Sequence, residues 1–155
     1  MLSAGAGTLS LPGEGAPRGY PGDEGSAYLL DPDPALIRAN LLDTLCRLAN
    51  ATFILPDDAY LGTNELPTTE WTRAASAYRV LATMPYAPKK VKEWLRENGY
   101  QRIVVKKRHY PQEPEAVARE LGVSVRGDGA EVTLVLVRDS AKRFLAVFCE
   151  PLRNE

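Results

Sequence analysis

Histidine is almost missing from this chain: His109 is the single one among 155 residues, and cysteine occurs only as Cys46 and Cys149. A tetrahedral zinc site draws its ligands from thiolates and imidazoles in closely spaced pairs. No such set exists here, so neither structural zinc nor a transition-metal site is expected. Each cysteine lies inside an apolar run and reads as a buried thiol in a reducing, cytoplasmic compartment. A Ser-His or Cys-His nucleophile would have to use His109, which sits in a cationic run. A surface or phosphate-facing imidazole fits it better. No apolar stretch approaches the roughly 20 residues of a membrane span. No basic stretch with an apolar core behind it opens the chain, as it would in a signal peptide. The P-loop lysine motif, the Gly-x-Ser-x-Gly elbow and His-Glu-x-x-His are absent too. The expectation is a cytoplasmic protein with no membrane attachment and no catalytic site of these kinds.

What is present is an ordinary globular composition, 45% hydrophobic and 25% charged, over a length that makes one compact domain with at most a small satellite. A chain of this size buries roughly 70% of the surface its unfolded form exposes, so it can fold without staples. The formal net charge of −1 conceals a division along the chain. Between residues 14 and 70 ten acids face three bases; between 79 and 110 nine bases face two acids. Segregation on that scale points to a local anionic partner.

The first 27 residues hold seven of the 12 glycines and almost no hydrophobic periodicity, which reads as a flexible linker or tail with at most a short strand at 8–11. Asp33 before Pro34 has the form of an N-cap followed by proline at the first helical position. Leu36, Ile37, Leu41, Leu45 and Leu48 then recur at helical steps, predicting one amphipathic helix. Phe53-Ile54-Leu55-Pro56 reads as a short strand, and both 60–63 and 67–71 as turn and loop. From residue 77 the pattern is regular: a strand at 78–84, a helix from Pro88 to about Asn98, a strand at 102–107, a helix from Glu113 to Leu121, and strands at 131–137 and 143–149 joined by a hairpin. The fold class is therefore α/β (α+β), a β-α-β-α-β-β sheet with its helices on one face. A helical N-terminal segment precedes it. The divisions are 1–27 tail, 28–76 helical part and 77–151 α/β part.

Segment 28–39, Tyr-Leu-Leu-Asp-Pro-Asp-Pro-Ala-Leu-Ile-Arg-Ala, resembles the opening of the THUMP-like domain that stands behind the catalytic domain in a group of bacterial class I methyltransferases using S-adenosylmethionine. Tyr60-Leu61-Gly62-Thr63, Tyr78-Arg79-Val80-Leu81, Met84-Pro85, Val104 through Arg108 and Thr133 through Arg138 continue the likeness in order and spacing, out to about Glu150. The resemblance implies a Rossmann-like methyltransferase domain upstream, with residues 1–27 as its connector. On that reading the chain is an excised fragment, a split-gene partner or a truncated copy. The resemblance places S-adenosylmethionine in the missing domain. Here the one glycine turn of the right kind, Ala4-Gly5-Ala6-Gly7, follows no strand and precedes no helix, and no Asn-Pro-Pro-Tyr type tetrapeptide occurs. No cofactor and no catalytic residue are expected in this chain.

Two groups of charges remain. Asp31 and Asp33, with Asp57 and Asp58, read as structural: a helix cap, a favourable charge near the positive end of that helix, and a turn after Pro56. Their alternative is docking of an acidic face against a basic partner or a catalytic domain. Lys89, Lys90 and Lys92 open a helix whose apolar residues lie at 91, 94 and 95, so they face solvent at the positive end of the helix dipole, where phosphate is favoured. Lys106, Lys107, Arg108, His109 and Tyr110 come off a strand end. Cations beside rings that can stack suit an RNA backbone and an unstacked base, whereas the plain alternative is a solvated face. The resemblance adds that THUMP domains recognise RNA. The expected partners are therefore a structured RNA (transfer or ribosomal) and a methyltransferase catalytic domain in cis or in trans. A docking module without RNA binding is the alternative.

Overall fold

The computed structural model describes residues 26–55, 58–65, 73–140 and 142–152. The tail up to residue 25, with the glycine turn at 4–7 and the strand expected at 8–11, lies outside them. So do Asp57 and the loop expected at 67–71.

Strand β1 (Tyr28–Pro32) comes first, unforeseen in the sequence. Asp33 then caps α1 (Pro34–Arg38), its Oδ1 accepting from the Ala35 amide at 2.8 Å. The helix expected to run on to residue 48 breaks here. Asn40 adopts φ 63°, a left-handed conformation that asparagine tolerates better than most side chains, and α2 (Leu42–Ala49) starts after it. The break turns Leu45 and Ala49 inward and leaves Leu41 and Leu48 44% and 65% exposed. A two-residue strand β2 (Thr52–Phe53) and β3 (Leu61–Thr63) follow. The turn expected at 60–63 is thus a strand, and all three of its residues are buried.

The remaining elements keep the anticipated order: β4 (Ala75–Pro85), α3 (Pro88–Glu97), β5 (Arg102–Lys107), α4 (Pro114–Leu121), β6 (Glu131–Ser140) and β7 (Arg143–Pro151). Proline at the first helical position opens both α3 and α4, and Gly122, at φ 73°, closes α4 with its amide on the Ala118 and Arg119 carbonyls. The strands form one sheet in the order β2-β3-β1-β4-β7-β6-β5, in which only β5 and β6 pair in parallel. Because β7 is antiparallel to both β4 and β6, strands β4, β5 and β6 all run the same way.

Alternation along the strands sorts side chains between two faces. On one face Ile103, Val132, Leu134, Leu136, Ala146 and Phe148 pack against Val91 and Leu95 of α3 and Val117, Ala118 and Leu121 of α4. Leu30, Leu61 and Ala75 continue that face under α2. The other face carries Leu29, Tyr78, Val135, Val137, Val147 and Cys149, and among the described residues no helix covers it. Instead Leu55 and Tyr60, between β2 and β3, fill it.

The sheet is not flat. Four strand spacings separate β1 from β5, about 19 Å in a flat sheet, yet Lys106 Nζ on β5 lies 3.4 Å from Asp31 Oδ2 on β1. The sheet rolls around the helix-free face, and register shifts at Val80/Ala82 and Arg138/Ser140 supply local bends. Among the described residues no helix is long and apolar enough to cross a membrane.

Candidate nucleic-acid interface

The common direction of β4, β5 and β6 brings their C-terminal ends, Pro85, Lys107 and Ser140, to one end of the sheet, where open α/β sheets usually bind ligands. The residues singled out in the sequence distribute around this end in three distinct settings.

Lys89, Lys90 and Lys92 stand exposed on α3 because Val91 and Leu95 hold the opposite side of the helix in the core. The N-cap, Ala87, offers no side-chain acceptor, so the first-turn amides add their partial positive charge to Lys89 and Lys90. The stem of Lys92 passes Gly122 at the C-terminal end of α4, where the helix dipole favours a cation.

Lys106 and Arg108 have turned to the helix-free face and into an internal cluster. Arg108 Nη2 donates to Asp31 Oδ1 at 2.5 Å and to the Pro32 carbonyl at 2.9 Å, and its guanidinium lies 5.1 Å from the centre of the Tyr60 ring. Lys106 shares the same carboxylate. Burial acts to lower Lys106, but Tyr78 and Asp31 outweigh it and hold the ammonium above the ordinary lysine value. Burial, with Asp31 adding to it, pushes the Tyr60 hydroxyl up. Arg108 Nε is buried without a hydrogen-bond partner. Asp31, expected to serve the helix start, is thus the anchor of this cluster. Lys107, with Arg73 and Glu113, lines a cleft of about 600 Å³ that Asp31, Lys106 and Arg108 of the cluster also border.

His109 and Tyr110 open the third setting. His109 Nε2 lies 3.7 Å from Asp58 Oδ1. Asp58, 3% exposed, accepts from the Ala59 amide at 2.8 Å and the Arg138 amide at 2.7 Å, beside the β6 bulge. The turn role expected of Asp58 therefore extends to holding another strand. The Tyr110 ring packs edge-to-face on Phe144 at 4.8 Å and on Tyr86 at 5.6 Å between centroids. Burial, then Tyr110 and Glu120, push the Tyr86 hydroxyl up, and it bonds Glu120 Oε1 at 3.1 Å.

These rings, His109, Arg138, Lys142 and Arg143 border a second cleft of about 710 Å³. The sequence reading passed over Phe144 and the three cations because it took 138–142 as a plain hairpin. The signal was there: three bases within six residues bracket a turn at the same sheet end as Lys106–Tyr110. Arg138, Lys142, Arg143, Lys89 and Lys90 make no ion pair among the described residues.

The nucleophile candidates lie elsewhere. Cys149 is buried and Cys46 nearly so, neither in a disulfide. Burial pushes both thiols up to about 12, helped at Cys46 by Asp43. They are protonated near neutrality, when the thiolate is the reactive form.

Residues 75–151 match the family described as THUMP domain-like. Over 94% of its length the chain superposes, with a TM-score of 0.67 and 12% sequence identity, on part of the crystal structure of a "putative methyltransferase from Porphyromonas gingivalis W83". It spans 32% of that longer chain. The likeness reaches from the matched segment back through β1 to β3 and is one of fold. No curated protein sequence matches the chain.

Proposed function

We propose that this chain, whose residues 75–151 match the THUMP domain-like family, is the non-catalytic, RNA-recognising accessory part of an S-adenosylmethionine-dependent methyltransferase system. It holds a structured RNA for a catalytic domain supplied in cis or in trans, and that domain holds the cofactor. One observation carries the reading: Lys89, Lys90, Arg138, Lys142 and Arg143, with no ion pair among the described residues, stand toward the end of the sheet where β4, β5 and β6 finish. Repulsion among them is relieved by an anion, and a phosphate backbone supplies several at once. Lys106 and Arg108 support the surface from within, with Asp31 as their counter-ion.

The test is a titration of labelled transfer RNA and ribosomal RNA hairpins at several salt concentrations. Release of counterions from about four phosphates gives a log–log slope of roughly −3 to −4. Charge reversal at Lys89 and Lys90 should flatten that slope by about two units. Binding that ignores both salt and the reversal refutes the reading.

A second reading, docking without RNA, draws on Leu41 and Leu48, which stand exposed around α2. Mixing the chain with a methyltransferase subunit decides it: one monodisperse complex that resists salt supports docking, and two independent peaks dismiss it.

A further inference from the structure

The cleft beside the β6–β7 hairpin differs in kind from the lysine face of α3. Three aromatic rings wall it, cations rim it, and Asp139 is the one carboxylate among its described lining residues. We propose that this cleft seats a single unpaired nucleotide of the bound RNA, its base against Tyr86, Tyr110 and Phe144 and its phosphates on Arg138, Lys142 and Arg143. The proposal rests on the RNA reading and names a subsite within it.

The geometry argues for a flat, π-bearing guest. In an edge-to-face pair one ring offers a face and the other an edge, so each ring keeps at least one face clear of that contact. Interplanar angles of 75° and 84° keep the three rings from collapsing onto one another. Their positions are also set in advance. The Tyr86 amide donates to the Phe144 carbonyl at 2.8 Å, tying the end of β4 to the start of β7, while Glu120 of α4 holds the Tyr86 hydroxyl. Little ordering therefore remains to be done on binding. A volume of about 710 Å³ lies within the range of small-ligand sites. A base inside a helix has both faces covered by its neighbours, so only an unstacked one can meet these rings. A long apolar side chain would fill the rings but leave the rim cations unanswered, whereas a nucleotide satisfies both.

The experiment compares two RNA hairpins of equal charge, one fully paired and one with a single unpaired fluorescent purine analogue. The unpaired form should bind about tenfold tighter, consistent with stacking on a protein ring, and its emission should change on binding. Tyr110→Leu should abolish both the preference and the emission change, bringing the unpaired hairpin to the affinity of the paired one. Tyr110 packs in a cluster, so K142E/R143E, on exposed residues, provides a second variant that keeps the fold. It should reduce binding of the unpaired form more than the paired one. Equal binding of the two hairpins with unchanged emission overturns the subsite and leaves the RNA reading intact. Failure of both hairpins to bind overturns the subsite and the RNA reading together.

Discussion

Asp31 and Asp58 show how far single residues can be read before folding. Both carried a structural reading in the sequence, which is right in kind, yet their partners lie about 80 positions away. Asp31 meets Arg108 and Lys106, and Asp58 caps the Arg138 amide. Pattern rules see neighbours along the chain, and these contacts exist because the sheet rolls. The thiols were legible, since each sits in an apolar run, and their burial has a measurable consequence. An unfolded thiol ionises near its ordinary value of 9.0, but in the folded chain Cys46 and Cys149 hold their protons up to about 12. Folding therefore binds the proton more tightly than the unfolded state does. The stabilisation is whole below pH 9 and drains away as pH rises from 9 to 12. Each thiol removes at most about 1.4 kcal/mol per pH unit over that window. Urea unfolding at pH 7 to 10 should show stability falling from about pH 9 onward. Tyr60 and Tyr86, raised in the fold above their ordinary 10.0, steepen the fall toward pH 10, and Cys149→Ala should remove that thiol's share and make the fall shallower. A flat profile would mean that the thiols ionise freely in the fold.

At the scale of elements, everything from β4 to β7 was legible because its signals are local and agree: proline at helix starts, glycine after α4, β-branched runs in the strands. The N-terminal third was not. Leu36, Ile37, Leu41, Leu45 and Leu48 keep helical spacing across Asn40, so periodicity alone predicts one helix. The break is favoured by what lies beneath, since α2 must set Leu45 and Ala49 on Leu30, Leu61 and Ala75. Similarly, Leu61-Gly62-Thr63 is too short and too glycine-rich to read as a strand, and becomes one by lying between β1 and β2. Glycine suits that position for want of space. A Cβ at Gly62 would stand 2.4 Å from Ser26 Oγ, 2.8 Å from Ser26 Cβ and 3.3 Å from Ile54 Cγ1. Strands on both sides keep β3 from retreating, so Gly62→Ala should cost about 1–3 kcal/mol by overpacking. Removing the obstruction with Ser26→Gly in the same chain should recover much of that loss, which a double-mutant cycle in urea measures. Equal costs with and without Ser26 would place the strain elsewhere.

For the whole molecule, the charge segregation that first pointed to an outside partner proves to be partly internal. The acidic half supplies Asp31 and Asp58 to the basic half, which gives Lys106, Arg108 and His109 in return. Among the described residues the cations left without an ion pair in and beside that stretch are Lys89, Lys90, Lys92 and Arg96 on α3, Lys107 on β5 and those of the β6–β7 hairpin. The basic face was thus legible as a tendency, while its membership needed the roll of the sheet to settle. That roll also bears on how the chain divides. The family match begins at residue 75, and the sequence divides at a similar place. Yet β1 pairs with β4 from Tyr28 against Arg79 to Pro32 against Ala75, while Leu29, Leu55 and Tyr60 fill the face that no helix covers. A chain cut to 75–151 would open that face to water and leave Lys106 and Arg108 without their carboxylate, half-buried and unpaired. Residues 26–152 should therefore unfold in urea as one cooperative transition, and 75–151 alone should give a broad one with weak near-ultraviolet dichroism. A sharp transition from the shorter chain would mean that β1 to β3 decorate a domain already complete. The Asp31 cluster would then act on the proposed RNA surface alone, with no part in holding the sheet together.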